Sequence, residues 1–272
     1  MDTSNLGIWR APQLSMRWWP VFLRHLLVWR KLLIPSLLGN IADPLIALVA
    51  FGYGLGALVG DVKLGDTTVP YIVFLGGGYI CTSAMNAASF EALYSAYSRM
   101  AVQRTWDGIM NAPIGLDDVL LAEMLWASFK SLCTTLAILG VMLALGIGSV
   151  TGLLLALPLL ALVGITFASI ALIFNALAKG YDFFTYYFTL FLTPMMFLSG
   201  VFFPREQLPG VVQSISGWLP LTAAVELIRP LFLGQNPLAM PQQFAVNLAL
   251  LLAYAVAGFW LALALTRKRF KA

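Results

Sequence analysis

The chain has 272 residues, of which 60% are hydrophobic and 10% charged, and its mean hydropathy is +0.87. This excludes a soluble globular domain, whose surface needs far more charge. The formal net charge of +4 does not point to nucleic acid, because the basic residues flank apolar runs and report membrane topology instead.

The first 13 residues are polar and mixed and carry no secretory-signal pattern. From Ser15 to Lys31, Arg17, Arg24 and Lys31 recur every seven residues, while Trp18, Trp19, Phe22, Leu26 and Trp29 fill other faces. A basic, Trp-rich amphipathic helix of this kind lies in the membrane interface. It holds the single histidine, His25, which reads as an interfacial polar residue.

Six apolar runs follow, at about 32–58, 71–97, 119–147, 152–178, 183–203 and 242–266. Each supplies the ~20 residues that a hydrocarbon core of ~30 Å requires. Helix is the only conformation that satisfies their backbone in lipid. The predicted fold class is an all-α membrane protein forming one domain over 1–272. It has an interfacial segment at 1–31, a six-span bundle at 32–266, a loop at 98–118 and a hairpin at 204–241.

Pro35, Pro44, Pro158 and Pro194 kink their spans or mark their ends. Gly52/Gly56 and Gly76-Gly77-Gly78 read as close helix packing. Cys81 and Cys133 lie within spans and read as buried free thiols.

Charge within the spans is sparse: Asp43, Glu91, Glu123 and Lys130. Each ionised group costs at least ~2.5–3.5 kcal/mol in the bilayer interior, so each needs a partner or water. Glu91 and Glu123 fall near span ends and are read as anchors for the loop at 98–118. In that loop, Arg99–Ala112 is predicted as one short amphipathic helix ended by Pro113 and Gly115.

The segment 204–241 is apolar but broken by Pro204, Pro209, Pro220, Pro230 and Pro237. It is read as a re-entrant helical hairpin or lid, in which Glu226 and Arg229 are spaced for a local ion pair. Counting Lys and Arg gives 12 on the side of the termini and of the loops 98–118 and 179–182, against three on the other. Both termini are therefore expected in the cytoplasm.

No catalytic constellation, metal-ligand spacing or P-loop is visible, so the chain is not read as an enzyme and no cofactor is expected on it.

The run PMMFLSGVFFPREQLPGVVQSISGWLPLTAAVELIRPLFLG (Pro194–Gly234) resembles the "SG-x-x-FP … LP … LP-x-x-x-x-x-E-x-x-R" pattern of type-2 ABC exporter permeases. Arg30–Gly56 and Arg104–Glu123 look closer still to the permease branch of nodulation-factor exporters, which export lipo-oligosaccharides with a separate ATPase. The resemblance spans about residues 20–270.

It implies an ATP-binding cassette subunit that carries the ATP and Mg, a second copy of the permease, membrane lipids as neighbours, and location in the bacterial inner membrane. It also implies that the loop at 98–118 docks on the ATPase, with Arg99, Arg104, Trp106, Asp107 and Met110 as contacts. Pro204, Leu208, Pro209, Pro220, Glu226 and Arg229 would form the external gate.

For an amphiphilic glycolipid or lipo-oligosaccharide, the substrate path is assigned to Asp43, Tyr181, Phe184 and Tyr187. The aromatic residues among these equally suit an interfacial belt. The alternative is an ion-coupled secondary transporter working without an ATPase. Asp43 is its one good carboxylate, and the lack of inverted repeats weighs against it.

Overall fold

The computed structural model describes residues 7–271 apart from 34, 36–41, 43, 44, 65, 66 and 236–239. Asp43, Pro44 and Pro237 lie outside the described residues. Helix α1 (Trp18–Arg30) buries Val21, His25 and Trp29, one face at four-residue spacing. Phe22 and Trp29 of that helix meet Trp126 and Phe129 edge to face. Helix α2 (Leu45–Val59) follows. Its Gly52 lies against Ile72, whose Cγ1 would be 2.6 Å from an added Cβ.

Two short strands, β1 (Asp61–Leu64) and β2 (Thr67–Pro70), pair antiparallel in the register Asp61↔Pro70 to Leu64↔Thr67. They fall between the first two predicted spans.

Helix α3 (Tyr71–Phe90) continues without a break through π-turns at Glu91–Ser95 and Ser98–Val102. A π-turn leaves carbonyls off the α-helical ladder. Asn175 Nδ2 donates to two of them, Ala92 O at 2.8 Å and Leu93 O at 3.3 Å. The helix stops at Gln103–Arg104, where Arg104 adopts φ +50°, and restarts as α4 (Thr105–Met110). The single helix expected over Arg99–Ala112 is therefore two helices. The break falls at a left-handed residue, which an α-helix does not accommodate.

Helices α5 (Leu116–Ala144) and α6 (Val150–Leu177) form a pair. Next come α7 (Asp182–Tyr186), a π segment at Tyr187–Leu192 and α8 (Thr193–Leu198), which run on as one helix. Helices α9 (Gly210–Ser216) and α10 (Pro220–Phe232) meet at an 83° bend, and α11 (Pro241–Lys271) closes the chain.

Helix α6 is the centre, packing on α3, α5, α10 and α11. Small residues allow the close approach. Gly164 faces Ser128, Gly258 faces Ser169, and Ser128 Oγ donates to Ala161 O at 2.8 Å across the α5–α6 contact. Gly76, Gly77 and Gly78 lie against Met142, Phe232, Arg229 and Val201, so the glycine run serves packing.

Among the described residues, α5, α6 and α11 are long and apolar enough to cross a membrane, and α9–α10 make a fourth if the bent pair is one span. The other predicted spans differ for visible reasons. The first is described continuously only from Leu45, α3 carries Thr82, Ser83, Asn86 and Ser89, and the fifth is assembled from short pieces.

At the start of α6, a Cβ on Gly152 would lie 1.7 Å from Leu231 O, a backbone atom that cannot yield. Gly152→Ala is expected to destabilise the protein by about 1–3 kcal/mol and to lower its Tm in detergent. Gly140→Ala, with nothing within 4 Å of the added carbon, should leave Tm unchanged or slightly raised.

Candidate functional site

Where α3, α4 and α5 converge, two buried carboxylates meet two partly buried cations, and none of the four is unpaired. Arg99, on the last turn of α3, reaches inward. Its Nε donates to Glu123 Oε1 at 2.9 Å and its Nη2 to Glu123 Oε2 at 2.5 Å and Glu91 Oε1 at 3.0 Å. Lys130, two turns beyond Glu123 on α5, donates instead to Glu91 Oε2 at 2.6 Å.

The remaining capacity of the carboxylates is filled by neutral donors. Trp126 Nε1 reaches Glu91 at 2.9 Å, Ser95 Oγ reaches it at 2.9 Å, and Trp106 Nε1 of α4 reaches Glu123 at 2.9 Å. His25 of α1 completes the shell, with Nε2 3.4 Å from Glu123 Oε1 and its ring over Trp126. Burial disfavours the charge on Arg99, but Glu123 and Glu91 outweigh it and hold the guanidinium above its ordinary range. Two carboxylates and two cations sum to zero, the condition for placing them away from water.

A second set of contacts straps the termini to the start of α5. Asp117 accepts Gln13 N at 2.8 Å and Arg267 Nε at 3.0 Å, and Asp118 accepts Ser15 N at 2.8 Å. Arg267 also donates to Arg10 O at 2.7 Å, and Arg17 donates to Pro113 O. Arg269 caps the C-terminal end of α6 through Ala178 O at 2.6 Å, where a cation suits the helix dipole. Phe270 stacks on Trp106, with ring centroids 6.1 Å apart.

The residues assigned to coupling thus divide. Arg104 and Asp107 are exposed, Met110 is half-buried, Trp106 is 1% exposed, and Arg99 faces the carboxylates. Of the aromatic set, Tyr181 is exposed, whereas Phe184 and Tyr187 are core residues, Tyr187 with its hydroxyl 3.2 Å from Ser89 Oγ.

At the opposite end, the expected Glu226–Arg229 ion pair is absent. Glu226 pairs with Arg205 at 2.5 Å and accepts Asn247 Nδ2 at 2.8 Å, because its side chain leaves the face of α10 that Arg229 occupies. Arg229 turns inward, donates to Gly200 O at 2.7 Å and lies 4.0 Å over the Phe74 ring. Around them, Pro204 and Leu208 are half-buried, Pro209 is exposed and Pro220 starts α10 buried.

Sequence reading missed His25 as a member of the charge shell. The available signal was its place on the Val21–His25–Trp29 face of α1.

Glu123 holds Arg99 through both of its oxygens and also accepts the Trp106 indole. Glu123→Ala leaves Arg99 with Glu91 as its one carboxylate among the described residues, strands the Trp106 indole, and is expected to cost about 3–5 kcal/mol. It should also speed proteolysis between residues 103 and 113. Glu123→Gln, which keeps one acceptor, should lie between Glu123→Ala and the parent in both assays.

The family model described as ABC-2 type transporter matches residues 21–233. Nodulation protein J of Rhizobium meliloti (strain 1021) is 43% identical, with 97% of this chain and 98% of the relative aligned. Nodulation protein J of Bradyrhizobium diazoefficiens is also 43% identical, over 95% of each chain. The inner membrane transport permease YadH of Escherichia coli (strain K12) is 23% identical, over 85% of this chain and 87% of that protein. The chain belongs to the ABC-2 type transporter family of multi-pass membrane permeases, within its nodulation protein J branch.

Proposed function

We propose that this permease is the membrane subunit of an ATP-driven exporter that moves an amphiphilic glycolipid or lipo-oligosaccharide across the bacterial inner membrane. A separate ATP-binding cassette subunit supplies the ATP and Mg chemistry, and two permeases work with two ATPases. In this reading the chain crosses the membrane six times with both termini in the cytoplasm, and α9–α10 form the external re-entrant hairpin.

The observation that carries the proposal is the construction of α4. The exposed Arg104 immediately precedes it and its outer face presents the exposed Asp107, while Trp106 on the other face is bonded to Glu123 of α5. A short helix with a charged outer face and a fixed inner face is suited to receive a push from a cytoplasmic partner and pass it to α3 and α5. Similarity to proteins named nodulation protein J supports the choice of cargo class.

The chain should co-purify in gentle detergent with a P-loop subunit. Arg104→Gly keeps the left-handed backbone while removing the guanidinium. Combined with Asp107→Ala, it is expected to lower export per ATP hydrolysed by about tenfold, the effect of ~1.4 kcal/mol, at unchanged membrane level. Full export by the double variant, or purification without any ATPase, would overturn the assignment.

A further inference from the structure

Two cavities meet at the Glu91–Lys130 pair. One, of about 420 Å³, lies on the α1 side and is lined by Arg24, His25, Trp29 and Tyr181. The other, of about 440 Å³, lies between α3, α5 and the α7–α8 helix, within the predicted spans. Glu91 and Lys130 line both.

The second cavity differs from a gap between lipid-facing helices in what it exposes. Asn86, near the C-terminal end of an apolar helix, is exposed there, and its side-chain amide makes no hydrogen bond to any described residue. An amide in hydrocarbon without a partner costs several kcal/mol. Thr193 Oγ1 donates to Phe188 O at 3.0 Å and keeps its lone pairs. Lys130 spends one hydrogen bond on Glu91 and retains two N–H groups on a partly exposed ammonium. Phe90, 53% exposed, and Phe188 supply aromatic walls.

We infer that this cavity seats a neutral, hydroxyl-rich ring of the cargo, with Asn86 and Lys130 as its polar contacts and Phe90 as its stacking surface. The inference rests on the exporter reading and names the part of the cargo that binds. Charge decides the class. Glu91 and Lys130 cancel, so nothing favours a phosphate or carboxylate. Donors and acceptors occur together, and a sugar hydroxyl is both. An aromatic plane matches the apolar face of a pyranose ring. The volume falls within the ~300–1,000 Å³ of ligand sites, and convergent polar groups on apolar walls are their usual construction.

The test places a photoreactive benzoylphenylalanine at Met196 of α8, which lines the cavity and is not one of its proposed contacts, in the full chain in its host membrane. A control carries the same group at Val256, which is 69% exposed on α11. After irradiation, the complex is purified and its adducts are weighed by mass spectrometry. The expected result is an adduct containing hexose or hexosamine units at position 196 and only phospholipid at position 256. Phe90→Leu in the position-196 protein should reduce the glycan adduct at least about fivefold, the loss of a ~1 kcal/mol ring contact.

Phospholipid adducts at both positions would make the cavity an ordinary lipid face and overturn the inference. A crosslink from position 196 to a second copy would make it a subunit interface, with the same consequence. No adduct at 196 while 256 reacts would also overturn it. ATPase co-purification from the same sample separates the two failures. A partner present without a glycan adduct rejects the seat alone, and a partner absent rejects the exporter reading as well.

Discussion

The bidentate pair between Arg99 and Glu123 is the contact on which the arrangement of this end of the molecule depends. It joins the last turn of α3 to α5, and the second oxygen set of the same cluster brings in Lys130 and Trp126 through Glu91. Neither carboxylate has water to fall back on, so donors must come from whatever chain segments can reach. One such segment is α4 through Trp106, while α1 brings the His25 ring to 3.4 Å from Glu123. A requirement for charge compensation thus fixes the position of α4, a six-residue loop helix that has little apolar surface of its own.

The middle of the molecule is held by a different interaction. Around α6, glycine, alanine and serine let backbones approach until dispersion and short side chain–backbone hydrogen bonds do the holding. This packing also reaches α10, since Ser149 N donates to Phe232 O at 3.0 Å and Gly152 sits on Leu231. The bent α9–α10 pair is therefore seated on the bundle by backbone contact.

The two ends differ in how firmly they are closed. The Glu91–Arg99–Glu123 cluster is nearly dry, with both carboxylate side chains at most 3% exposed. The Arg205–Glu226 pair is about a quarter exposed on each side. Water competes for the second pair and screens it, so its opening costs little beside the first.

Much of this was legible in the chain because it depends on local composition. Apolar runs located the long helices α5, α6 and α11, the proline-broken segment after 204 located the bend, and the glycine run of α3 announced close packing. The need for partners around Glu91, Glu123 and Lys130 was equally plain, since a charge in an apolar run obeys the same solvation cost wherever it sits. The identity of those partners was not. Glu226 has Arg229 three residues away but pairs with Arg205, because rotation of α10 against the bundle decides which side of the helix meets which neighbour. His25 looks like a surface residue until α1 is laid on Trp126. The break at Arg104 depends on where α4 must sit to reach Glu123. Sequence by itself located the long apolar helices and the charged groups that cannot remain alone among them, since transfer free energy is a property of the residue. Tertiary structure alone decided the pairings, since electrostatic and hydrogen-bond energies depend on distances that only the packed helices set.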